Sequence, residues 1–117
     1  ITGNVEYKQK AEKTINLFSA QLEKYPYTMP EMLIGAMWLM HPPDEIVFVS
    51  ERNSEYDAMR AALAKSYSPR QVIYSPSEFT NDFSQTLKPH DGKTTLYKCK
   101  HGSCELPVTS AEDIVRP

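Results

Sequence analysis

Two cysteines, Cys99 and Cys104, flank the segment Lys100-His101-Gly102-Ser103 near the end of a 117-residue chain. A four-residue spacer containing His101-Gly102 suits a tight hairpin, which would set the two thiols opposite each other. Three kinds of chemistry follow from such a pair: structural thiols or a packing disulfide, a redox couple, or part of a metal site. A redox dithiol usually occupies C-x-x-C at a helix N-terminus, where the dipole lowers the thiol pKa. Here the spacer is longer and the preceding residues read as a strand. Zinc would need ligands beyond Cys99, Cys104 and His101, and His41 and His90 stand at no ligand-like spacing. The expectation is therefore a redox or disulfide pair at Cys99 and Cys104, with no metal and no cofactor.

The loop Ser50-Glu51-Arg52-Asn53-Ser54 follows an apolar run, the position where doubly wound sheets bind ligands. A phosphate there wants glycines so that backbone amides can approach it. This loop has none, and Glu51 and Glu55 would repel an anion. A capped helix beside a solvated loop is the better reading. No nucleophile elbow, H-E-x-x-H or P-loop occurs, no carboxylate pair is defensible as an acid/base couple, and no catalytic residue is assigned. Met29, Met32, Met37, Met40 and Trp38 cluster on or beside one segment. A flexible binding groove is one reading; packing in a core or against another domain is the other. The interface residues expected on the second are Met32, Leu33, Met37, Trp38 and Leu39.

The elements that must position these residues fall into two parts, 1–43 and 44–117. The first reads as a helical pair. Ala11, Ile15, Phe18, Leu22 and Tyr25 recur at steps of four and three, on one stripe of a helix that Pro26 ends. Thr28-Met29-Pro30-Glu31 then looks like a helix start, with Thr28 as cap and Pro30 in the first turn. The helix that follows, Met32 to Met40, is apolar nearly all round, so it should be buried on more than one side or meet another domain. Pro42-Pro43 terminates it.

The second part reads as a small α/β unit. Glu45 to Ser50 is a short, β-branched apolar run, as in a strand covered on both faces. Asn53 or Ser54 can cap a helix from Glu55 to Ser66 whose inner face carries Tyr56, Met59, Leu63 and Tyr67. Gln71 to Ser75 is a second strand, and strand–helix–strand over this length makes a βαβ crossover. Phe79, Phe83 and Leu87 suggest a helical turn or two, Asp91-Gly92 a turn, Thr94 to Cys99 a third strand, and Ser110-Ala111-Glu112-Asp113 the cap of a short last helix. The fold class expected is α/β: a helical pair followed by a three-strand, mostly parallel sheet.

Composition bounds the partners. Hydrophobic residues make up 40% and charged residues 24%, and the formal net charge is −2. Nothing in that balance attracts nucleic acid or an anionic membrane. The longest apolar stretch, Met32 to Met40, is less than half of a membrane span. No basic segment followed by an apolar one marks a signal peptide. A cytoplasmic setting is expected, and the opening at Ile1 reads as a processed or trimmed product.

A resemblance rests on Tyr25-Pro26, Pro30-Glu31-Met32-Leu33, Ile46-Val47-Phe48-Val49, Tyr67-Ser68-Pro69, Leu96-Tyr97-Lys98-Cys99 and Cys104-Glu105-Leu106-Pro107-Val108-Thr109, in that order. From about Phe18 to Val115 the chain resembles the C-terminal region of the thioredoxin-domain-containing family typified by spermatogenesis-associated protein 20. The most specific element is the closing Tyr-x-Cys-x4-Cys-x2-Pro, matched by Tyr97, Cys99, Cys104 and Pro107. The resemblance implies a parent with a thioredoxin-like domain, an α/α barrel similar to sugar epimerases and six-hairpin glycosidases, and a small C-terminal α/β region. Many relatives are expected to carry a glycine after the first strand, where this chain has Ser50-Glu51. The thioredoxin-like motif has no counterpart here. The function implied is a non-catalytic accessory domain, its partners being the parent's N-terminal domains or a second copy. The alternatives are a share in an enzyme acting on carbohydrate or thiol substrates, to which Cys99, His101 and Cys104 would contribute, and a standalone protein-binding module.

Overall fold

The computed structural model describes residues 3–65, 68–78 and 81–114. The chain divides into two units, one running from Gly3 to Pro42 and one from Pro43 onward.

The first unit is helical. Asn4 caps α1 (Val5–Leu17) by accepting from the Glu6 amide. The single long helix expected here is broken at Phe18, whose N–H turns back to Ile15 and Asn16, and α2 (Ser19–Lys24) follows. The stripe therefore loses its continuity: Leu22 is buried, Ile15 and Phe18 are half-buried, and Ala11 and Tyr25 are exposed. The 3-10 turn Pro26–Thr28 leads into α3 (Pro30–Met40). Thr28 is not the cap. Its hydroxyl donates back to the Tyr25 carbonyl at 2.8 Å, closing the preceding turn, and Met29 holds the cap position without a side-chain bond. α3 lies against α1 at Gly35, where a Cβ would make an ordinary contact of 3.5 Å with Ile15 Cδ1.

The second unit is a sheet with helices. β1 (Asp44–Val49) runs parallel to β2 (Gln71–Tyr74) through α4 (Ser54–Ala64), the expected βαβ crossover. β3 (Thr95–Lys100) and β4 (Ser103–Cys104) complete a four-strand sheet in the order β2-β1-β3-β4. The expected three-strand, mostly parallel sheet is thus corrected: one pairing is parallel and two are antiparallel. The reason lies in the connector. β2 ends with Tyr74 opposite Val47, and β3 starts with Thr95 opposite Val49, at the same end of β1. Between them, α5 (Asp82–Thr86) has five residues and advances only about 7 Å, so it does not form a crossover helix along a six-residue strand of about 20 Å. The chain re-enters the sheet at the end where it left, so β3 runs antiparallel.

Both faces of the sheet are covered. Ile46, Phe48 and Leu96 meet Met59 and Leu63 of α4, with Tyr56, Val108, Ala111 and Ile114 around them. Tyr67, expected on the same inner face, lies outside the described residues. α6 (Ala111–Ile114) closes this side and starts as expected, the Asp113 amide donating to Ser110 Oγ. On the other face Val47, Tyr74 and Cys99 pack with Val49, Val72, Phe83 and Leu87. Phe79 lies outside the described residues, as does Val115.

Candidate functional site

The hairpin β3–β4 places the two cysteines. Its turn consists of His101 and Gly102 alone, with φ of 52° and 76°. Positive φ at both central positions is the type I′ pattern, whose twist matches that of the flanking strands. The turn pairs Lys100 with Ser103 and Cys99 with Cys104. Two-residue hairpins alternate hydrogen-bonded and open pairs outward from the turn. The Glu105 amide donates to the Lys98 carbonyl at 2.9 Å, so Cys99 and Cys104 occupy the open pair, where side chains come closest. They are joined as a disulfide, with Cα atoms 4.0 Å apart.

The two sulfurs differ in surroundings. Cys99 is 2% exposed in the cluster with Val47 and Tyr74, whereas Cys104 on the edge strand is half-buried. Glu45 faces Cys99 across the β1–β3 ladder. Its carboxylate accepts from Tyr74 Oη at 2.7 Å, and Asn81 Nδ2 donates to the same phenol oxygen at 3.3 Å. Burial, and next the Glu45 carboxylate, push the Tyr74 phenol up to about 12. A buried phenol keeps its proton because a phenolate there would lose water and meet a negative charge.

The opposite side chains of the hairpin are charged. Lys98 Nζ lies 3.7 Å from Asp44 and 3.5 Å from Glu105, and Lys100 lies 3.6 Å from Asp44. These groups line a shallow groove with His101 and Ser103. Acids and bases alternate there, which suits a cross-strand ion ladder more than a site for one charged ligand.

His101 therefore serves the turn and is exposed; His41 ends α3; His90 lies 3.5 Å from Asp91 in an exposed turn. Among the described residues no group of three His, Cys, Asp or Glu side chains could hold a metal ion. Of the closing signature, Tyr97 Oη donates to the Lys88 carbonyl at 2.7 Å, and Pro107 precedes Val108, which bridges to Leu96 by two backbone bonds. All four signature residues thus sit on or beside this hairpin.

The loop after β1 is occupied by its own side chains. Asn53 Oδ1 accepts from the Tyr56 amide at 2.9 Å and from Thr94 Oγ1 at 3.2 Å, and Thr94 Oγ1 lies 2.9 Å from Ser50 Oγ. The α4 N-terminus is thereby capped from within the chain. Arg52 reaches across to Glu78 at 2.6 Å, and that bond, with the Ser75 amide, holds the Glu78 carboxyl below its ordinary value. The Ser50–Thr94–Asn53 chain is not legible in the sequence. Its members are 41 and 44 residues apart, and only the meeting of the β1 end with the β3 start brings them together.

The expected interface residues lie on α3. Met32, Met37, Trp38 and Leu39 are half-buried, Leu33 is exposed, and no residue of the helix is fully buried. The expectation that α3 is buried on more than one side is not met within this chain. Nearby, Leu17, Tyr27 and Met40 are 79%, 77% and 71% exposed. Among the described residues of the helical unit, Leu22 is the one buried apolar side chain.

No family model, curated protein or solved structure matches the chain. No helix among the described residues is long and apolar enough to cross a membrane.

Proposed function

We propose that this chain is a non-catalytic accessory module that works by packing its helical unit against another protein surface. In that role it fits the C-terminal region of the thioredoxin-domain-containing family, whose barrel supplies such a surface. The observation that carries the reading is the contrast between the two units. The sheet unit buries apolar clusters on both faces, whereas the helical unit exposes large apolar side chains and buries one. Helices that bury no common core gain little from tertiary packing, which is where most helical stability arises. Leu17, Tyr27 and Met40 are the exposed apolar side chains through which the unit would pack.

The partner in this reading is the parent's preceding domains, with self-association as the outcome when they are withheld. Sedimentation of the isolated chain, with binding of a dye for apolar surface, tests it. Concentration-dependent association that Met40→Glu with Tyr27→Glu abolishes supports the proposal. A monomer that binds no dye overturns it. The reading keeps the cytoplasmic setting, where thiol pools make a disulfide a transient rather than a permanent link. It invokes no nucleic acid, membrane, metal or cofactor.

A further inference from the structure

We propose that the Cys99–Cys104 disulfide is a thiol–disulfide exchange site, at which a small-molecule thiol attacks Cys104 and is carried there as a mixed disulfide. Three features of the hairpin point to it. First, access is one-sided: Cys99 is 2% exposed under Tyr74 and Val47, while Cys104 is half-buried. Second, β4 is the last strand of the sheet and has two residues, so among the described residues no neighbouring strand screens Cys104 from its outer side. Third, the hairpin geometry outlives the bond. The His101-Gly102 turn, the Glu105–Lys98 backbone bond and the two Leu96–Val108 bonds hold the segment in place when the sulfurs separate.

The exchange balances as follows. A thiolate RS⁻ forms a bond to Cys104 Sγ as the Sγ–Sγ bond breaks, and the electron pair leaves on Cys99 Sγ, which takes a proton from solvent. A second thiolate attacks the R sulfur of the mixed disulfide, releasing Cys104 as a thiolate and RSSR. Two thiols are oxidised and one protein disulfide is reduced. Leaving-group ability alone favours attack on Cys99, since a half-buried Cys104 thiolate would leave more readily than a fully buried one. Access opposes this and decides the outcome, because an attacking sulfur must reach the disulfide along its axis. Once formed, the Cys99 thiol stays in the buried cluster with Val47 and Tyr74, out of reach of a second thiol from solvent.

Glutathione is the probe. The oxidised full chain is incubated with millimolar glutathione near neutral pH, quenched with an alkylating agent and mapped with trypsin, which separates the two cysteines by cutting after Lys100. The expected result is a glutathione adduct on Cys104 in about tenfold excess over Cys99, with the circular dichroism of the native fold retained. A disulfide that resists glutathione until denaturant is added overturns the proposal, and so does an adduct on Cys99 in equal or greater amount. Cys99→Ser and Cys104→Ser, treated with oxidised glutathione, give an independent reading: the thiol left in Cys99→Ser should be modified about ten times faster. Equal rates in two folded variants count against the site.

Discussion

Tyr74, on β2, donates its phenol proton to Glu45, on the neighbouring β1, at 2.7 Å, directly in front of the disulfide half formed by Cys99. The pair joins two strands by side chains as well as by backbone, and it places a carboxylate beside the buried sulfur.

Alkaline pH should act through this pair. The phenol's ordinary value is 10.0 and its folded value is about 12, so the folded state holds the proton more tightly than the unfolded one. The stabilisation is fully present below pH 10 and is lost as the pH rises through 12. Two units correspond to at most about 3 kcal/mol. Absorbance titration should show one tyrosine ionising last, together with unfolding. Tyr74→Phe should cost about 1 kcal/mol at neutral pH by losing the bond to Glu45, and should remove the part of the alkaline destabilisation that belongs to this residue.

Reduction should weaken the sheet unit without unfolding it. The loop closed by the disulfide spans residues 99–104, and constraining so short a loop in the unfolded chain is worth about 2 kcal/mol. Chemical denaturation with and without a strong reductant should differ by about that amount. Hydrogen exchange should speed up first at Ser103 to Val108. A loss of all cooperative unfolding on reduction would mean that the hairpin depends on the bond.

The turn offers a paired test in which two neighbouring substitutions move stability in opposite directions. Gly102 has φ of 76°, and although a Cβ there meets nothing within 4 Å, the conformation itself is unfavourable to an L side chain. Gly102→Ala should cost about 1 kcal/mol. His101 already pays that strain at φ 52°, so His101→Asn should stabilise by a few tenths of a kcal/mol, about 0.3. Thermal melts of the two variants would settle the assignment of the turn.

Asn53 caps α4 and anchors Thr94, and the two roles separate by mutation. Asn53→Ala should cost about 1–2 kcal/mol, because it orphans the Tyr56 amide and takes one of two partners from the buried Thr94 hydroxyl. Asn53→Asp keeps both acceptor roles and should lie near the parent. Thr94→Val removes the hydroxyl while leaving the cap, and equilibrium unfolding should place it between the two.

Local pattern alone indicated the helix–strand order apart from β4 and the α1–α2 break, the βαβ crossover, a cap at Asn53 or Ser54, the Ser110 cap and the facing of Cys99 and Cys104. Each of these rests on periodicity, caps and turn residues within a few positions of one another, so short-range sterics and hydrogen bonding are enough. Tertiary structure decided the rest. Alternation in Thr94 to Cys99 reports which side chains share a face but not which way the strand runs, and it is the re-entry of the chain at the end of β1 where β2 stops that makes β3 antiparallel. The stripe from Ala11 to Tyr25 could not reveal the break at Phe18. The meetings of Glu45 with Tyr74 and of Ser50 with Thr94 leave no mark in the sequence, because strand register sets them across 29 and 44 positions. The unequal exposure of the two cysteines is of the same kind: their spacing brings them together, but only the sheet around them buries one and leaves the other at its edge.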